Sequence, residues 1–156
     1  LKLLGGCLDP HGCFLLERGI KTLAVRMRAH AEAAQAVAEA LEAHPKVTEV
    51  LYPGLPSHPD HALAQQLLRN PGGMVSFTVQ GGDEAALRLC RAVRVAKEAT
   101  SLGGVETLIS LPFNTSHVAM SAEDRLAAGI GPGMVRLSVG IEDPADLIAD
   151  LGAALG

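Results

Sequence analysis

Apolar residues recur at three- and four-residue steps from Ile20 through Leu23, Ala24, Met27, Ala31, Ala34, Val37 and Ala38 to Leu41. That spacing lines one helix face and predicts a single long helix from about Arg18 to Ala43. His44-Pro45 stops it, because proline disfavours helical geometry in the residue before it and has no N–H to donate. Val47 to Tyr52 then reads as a strand. The segment PGLPSHPDH from Pro53 is a rigid connection in which Ser57 or Asp60 can cap a helix running to about Arg69. After a turn at residues 70–73, Met74 to Val79 alternates apolar with small or polar groups, which predicts a strand with Val75, Phe77 and Val79 inward. Gly81-Gly82 ends that strand. Asp83 is placed to cap a further helix with Ala86, Leu89, Cys90 and Val93 on its apolar side.

Val95 to Ala99 and Val105 to Leu111 read as two short strands around the loop TSLGG, residues 100–104. Ser121 with Asp124 forms a capping-box variant for a short helix that ends at Gly129, where a left-handed residue is needed. Met134 to Asp143 is the last strand-like run: Val135, Leu137, Val139 and Ile141 fall on one face, and Met134, Arg136, Ser138 and Gly140 on the other. The first face is predicted to be core and the second a shallow surface of small groups. Asp143 caps and Pro144 opens a final helix with Leu147, Ile148, Leu151 and Leu155 inward. Helices and strands thus alternate after a long lead-in, which predicts an α/β class with α+β packing, an open sheet covered by helices.

The 156 residues are 48% hydrophobic and 19% charged, enough apolar mass for one ordinary core, so a single domain over residues 1–156 is expected, with 1–44 as a helical lead-in and 45–156 as the sheet-and-helix layer. The net charge is −4 and the 13 basic residues are scattered, so no basic stripe is available to follow a nucleic-acid backbone. No apolar run approaches the ~20 residues of a membrane span, and LKLLGG lacks the features of a signal peptide; a soluble, cytoplasmic protein is expected. The opening on Leu1 suggests a piece of something longer. Cys7, Cys13 and Cys90 are odd in number and lack C-x-x-C spacing, so buried free thiols are expected rather than disulfides or a thiolate zinc site.

Chemistry concentrates at Arg136. A guanidinium rising from a face of small groups presents a planar fork suited to a carboxylate or a phosphate. From this segment alone a solvated arginine is the commoner reading. Ser101 to Gly104 adds a hydroxyl and backbone freedom, which lets a loop approach a small anion closely, and this loop could share an anion with Arg136 although 35 residues separate them. His58-Pro59-Asp60-His61 contains metal-ligand residue types, yet no other cluster completes a coordination set, so no metal is expected. No G-x-S-x-G elbow and no phosphate-binding glycine motif is present.

Five segments together resemble the C-terminal part of the cysteine and methionine metabolism family of pyridoxal-phosphate enzymes, which includes cystathionine γ-synthases, cystathionine γ- and β-lyases, methionine γ-lyases and homoserine-ester sulfhydrylases. They are RGIKTLAVRMRAH from Arg18, YPGLPSHPDH from Tyr52, GGMVSFTV from Gly72, SLGGVETLI from Ser101 and RLSVGIEDPADLIADL from Arg136, in the family's order. The resemblance implies the small C-terminal domain of a fold type I enzyme with a mainly antiparallel sheet, the large cofactor domain lying outside the chain. It implies pyridoxal 5'-phosphate as cofactor of the complete enzyme, a small amino acid as substrate, and a homo-oligomer.

By the same resemblance, Arg136 matches the arginine that grips the substrate α-carboxylate, and Ser101 the loop serine beside it. Holding the carboxylate sets the rotation about Cα, which selects the bond that breaks. Thr100 stands where many γ-synthases and γ-lyases carry a glutamate facing the distal end of the substrate, and it lacks that negative charge. FNTSH, Phe113 to His117, also departs from the family's usual Met-Thr-His run. The family's cofactor-bearing lysine lies in a Ser-x-x-Lys segment with no counterpart here: the lysines are Lys2, Lys21, Lys46 and Lys97. No catalytic residue, no covalently held cofactor and no activity are therefore expected of the chain alone. A stand-alone binding or assembly module with this fold is the alternative reading.

Overall fold

The computed structural model describes residues 5–156. Lys2 lies outside them. The helical lead-in is two helices, α1 (Pro10–Ile20) and α2 (Leu23–Glu42), rather than one. The apolar period continues across the junction, but Thr22 sits at φ −109°, ψ 2° and breaks the ladder. The Arg26 guanidinium donates to the Gly19 carbonyl at 2.9 Å and to the Thr22 hydroxyl, so side chains satisfy groups that a continuous helix would pair internally. Asp9 starts α1 by accepting from His11 and Gly12 N–H, ahead of the predicted start. Nothing in α1 is buried, whereas α2 buries His30, Ala31, Ala33, Ala34, Val37, Ala38 and Leu41.

Five strands follow: β1 (Val47–Leu51), β2 (Met74–Val79), β3 (Lys97–Glu98), β4 (Leu108–Ser110) and β5 (Met134–Ser138). Their order is β1-β2-β5-β4-β3, antiparallel except for the parallel β3–β4 pair. α2 and α4 (Gly82–Ala92) pack on the sheet, and α6 (Pro144–Leu155) packs on both helices. Val75, Phe77 and Val79 alternate inward as predicted and join Val135, Leu137, Val37, Leu89 and Leu147 in one core. α3 (His61–Leu67) and α5 (Ala122–Ala127) lie outside it.

The local signals succeed where the partner is nearby. Ser121 accepts from the Asp124 N–H, and Asp143 from the Ala145 N–H ahead of Pro144. Gly129 closes α5 at φ +78°. Two caps are redirected by tertiary partners, and a third makes no side-chain bond. Asp83 does not cap α4, whose N-cap is Gly81 in the left-handed region; its carboxylate accepts from Gly133 N–H at 2.8 Å instead. Ser57 bonds to Glu42, and Asp60 precedes α3 without a side-chain cap. The thiol expectation fails for two of three: Cys7 and Cys13 are exposed, and Cys90 alone is buried. No residue of α1 is buried, Cys13 included.

Candidate functional site

β5 lies between β2 and β4, and Arg136 stands directly opposite Ser76 on one side and Ser110 on the other. Small neighbours on both flanks leave the guanidinium room above the sheet. The face it rises from is not the shallow surface expected: Met134, Ser138 and Gly140 are buried, and Arg136 is partly so. The cause is the segment 99–107, which folds over this face. Conversely, Ile141 is 43% exposed, because the chain leaves the sheet after Ser138 and the period-two pattern no longer decides which side is covered.

The predicted trio meets. Arg136 Nη2 donates to the Thr100 carbonyl at 2.8 Å and to the Ser101 carbonyl at 3.0 Å. Both contacts use main-chain oxygens, so any residue type at 100 or 101 could make them, and both side chains are left exposed. Gly103, at φ +76°, turns the loop so that its N–H donates to Ser138 Oγ at 2.9 Å. The Arg136 Nε–H is buried and has no acceptor among the described residues. A charged donor without a partner inside a protein is costly, and an anionic oxygen at that position would offset the cost.

Three participants carry no sequence signal of their own: Ser138, Thr107 and Glu142. Glu142 accepts from Thr107 N–H and from Thr107 Oγ, each at 2.7 Å, and Gly140 N–H donates to Thr107 Oγ at 2.8 Å. Only the return of the 99–107 segment onto β5 makes neighbours of residues 35 positions apart.

The histidine cluster has local backbone roles. His61 Nδ1 donates to the Pro53 carbonyl, and His58 Nδ1 accepts from Asp60 N–H. Among the described residues no three His, Cys, Asp or Glu side chains converge as a metal set. In FNTSH, Ser116 and His117 bond to each other at 2.8 Å.

A cofactor with a phosphate and an aldehyde needs a cradle and a lysine, and the donors around Arg136 supply neither. Lys21 pairs with Glu17 on an exposed helix face, Lys46 donates to the Leu155 carbonyl, and Lys97 lies exposed on the edge strand β3. The described residues offer one guanidinium with an unpaired donor and do not by themselves form a pyridoxal-phosphate cradle.

An open sheet under helices with an arginine-bearing strand and a glycine loop defines a small-domain architecture that recurs in pyridoxal-phosphate enzymes of fold type I. The chain belongs to the Cys/Met metabolism PLP-dependent enzyme family, whose profile matches residues 1–156. It is 47% identical over 153 residues to an L-methionine gamma-lyase of Pseudomonas deceptionensis, covering 98% of this chain and 38% of that protein. It is 51% identical over 152 residues to the cystathionine gamma-synthase of Mycobacterium tuberculosis, covering 97% and 38%. The structure of cystathionine gamma synthase from Xanthomonas oryzae pv. oryzae in complex with cystathionine superposes with a TM-score of 0.90 at 46% identity, over 98% of this chain and 40% of that one. The chain therefore spans about two fifths of the length of these relatives.

Proposed function

We propose that this chain is the substrate-carboxylate-binding part of a pyridoxal-phosphate enzyme that forms or cleaves carbon–sulfur bonds in amino acids, in the cystathionine γ-synthase, cystathionine γ-lyase or methionine γ-lyase class. The observation that carries the reading is the state of Arg136: one guanidinium nitrogen bonded to two loop carbonyls, and a second, Nε, buried without an acceptor. The carbonyls aim the guanidinium before a ligand arrives, and the unpaired Nε–H leaves it a donor suited to one oxygen of an α-carboxylate. Ser101 and Thr100, exposed at the loop, face the same ligand. Bound pyridoxal phosphate, held by protein outside this chain, would supply the electron sink for elimination or replacement. Arg136 fixes the amino acid's orientation at Cα.

The exposed apolar side chains Phe14, Leu15, Leu16 and Ile20 of α1 support a chain that works packed against further protein, in a cytoplasmic homo-oligomer. No helix among the described residues is long and apolar enough to cross a membrane. In the complete, cofactor-loaded enzyme, Arg136→Ala should raise KM and lower kcat/KM by about 2–4 kcal/mol, the scale of a lost charge-assisted contact. Unchanged kinetics would remove Arg136 from the site.

A further inference from the structure

β3 and β4 are parallel neighbours, so the chain between Glu98 and Leu108 cannot turn back as a hairpin and must cross over to restart in the same direction. It does so without a helix, and its backbone groups need partners from elsewhere. The chain from β5 onward meets the crossover at every second residue, mostly at its backbone groups. Arg136 holds the carbonyls of Thr100 and Ser101, Ser138 accepts from Gly103 N–H, Gly140 donates to Thr107 Oγ, and Glu142 accepts from Thr107 N–H and Oγ. Between the last two, Ile141 N–H donates to the Val105 carbonyl at 2.9 Å.

The end of this series is the strongest. Thr107 is fully buried, and its hydroxyl donates to one Glu142 oxygen while accepting from Gly140 N–H; its own N–H takes the other oxygen. Both Glu142 contacts are charge-assisted and at 2.7 Å. Gly140 is required at this point, because a Cβ there would strike the Val105 carbonyl oxygen and the Glu142 carboxylate.

We infer that Thr107 and Glu142 are positioning residues: they latch the 99–107 segment onto β5 and so fix where Thr100 and Ser101 stand relative to Arg136. The latch rests on the reading of Arg136 as the carboxylate clamp. It lies at the far end of the segment from the ligand, so it touches no substrate and acts through the loop. A loosened segment would release the two carbonyls that aim the guanidinium, weakening substrate binding more than turnover.

The test uses the complete, cofactor-loaded enzyme with Thr107→Val, Thr107→Ser and Glu142→Gln. Thr107→Val removes the hydroxyl and strands both Gly140 N–H and a carboxylate oxygen, while Thr107→Ser keeps every bond. Hydrogen exchange of the 100–107 peptide should accelerate about tenfold or more in Thr107→Val, with α4 unchanged, and KM for the amino-acid substrate should rise about tenfold with kcat within about twofold. Thr107→Ser should match the parent in both. If Thr107→Val does not fold, Glu142→Gln should show the same pattern at smaller size. Parent-like exchange, or faster exchange with an unchanged KM, overturns the latch. Arg136→Lys runs beside them: an unchanged KM there removes the carboxylate reading, while the exchange data still judge the latch independently.

Discussion

Arg136 Nη2 reaches the carbonyl oxygen of Ser101 at 3.0 Å, across 35 residues of sequence. The contact joins the arginine strand to the glycine loop through main chain alone. It leaves the Ser101 hydroxyl exposed and the arginine's Nε–H buried without an acceptor, a half-satisfied arrangement that suits a two-oxygen ligand.

Of the described lysines, Lys21 pairs with Glu17, Lys46 bonds to the Leu155 carbonyl and Lys97 lies exposed on the edge strand, and none bonds to Arg136's surroundings. The chain mixed alone with pyridoxal phosphate should therefore show no saturable, lysine-linked visible absorbance. A stoichiometric band abolished by replacing one lysine would contradict the proposed dependence on protein outside the chain.

Charge at position 100 should tune specificity. Thr100 is exposed at the loop beside Arg136. In the complete enzyme, Thr100→Glu should shift the ratio of kcat/KM for cystathionine over methionine upward by about fivefold, the scale of one exposed charge pair acting on the distal ammonium. An unchanged ratio would place residue 100 away from the substrate's distal end.

Two glycines should respond oppositely to alanine. Gly140→Ala forces a methyl into the Val105 carbonyl and the Glu142 carboxylate and should cost about 2–4 kcal/mol in urea unfolding. Gly152→Ala, inside α6 with nothing near its missing Cβ, should stabilise by about 0.5–1 kcal/mol. Equal effects at both positions would mean the loop is not held as tightly as the geometry indicates.

Stability should fall on the alkaline side. Burial pushes the Tyr52 phenol from 10.0 up to about 12, and burial with the nearby Glu98 charge pushes the Cys90 thiol from 9.0 up to about 12. The folded chain holds both protons more tightly than the unfolded chain. Their contribution is thus fully present below pH 9 and is lost as pH rises toward 12. Tyr52→Phe should flatten that slope and, by removing the hydroxyl bonds to the Gly72 and Ala31 carbonyls, cost about 1 kcal/mol at neutral pH. Denaturant midpoints between pH 7 and 11 measure both effects, and an unchanged slope in the variant would exclude Tyr52 as a source.

Periodicity located β2 to the residue and set its inward face, because alternation between Val75 and Val79 is a local property. It overran at the lead-in helix, where Arg26 and Thr22 side chains compete for backbone groups that apolar spacing does not register. Asp83 had the form of a cap and became a clamp on Gly133 for the same reason: a polar side chain takes the best partner in space, whichever segment supplies it.

The sequence by itself indicated most of the elements and the family, and it singled out Arg136 and the loop from Thr100, because strand alternation, glycine turns and motif order are written within short windows. Only the tertiary structure decided that the face around Arg136 is covered, that its guanidinium is aimed by the carbonyls of Thr100 and Ser101, and that Glu142 holds Thr107. These contacts join residues about 35 positions apart, and no local pattern encodes them. They arise because the crossover between parallel β3 and β4 folds over β5 and the chain after it, and its unpaired backbone groups bond to what that segment presents.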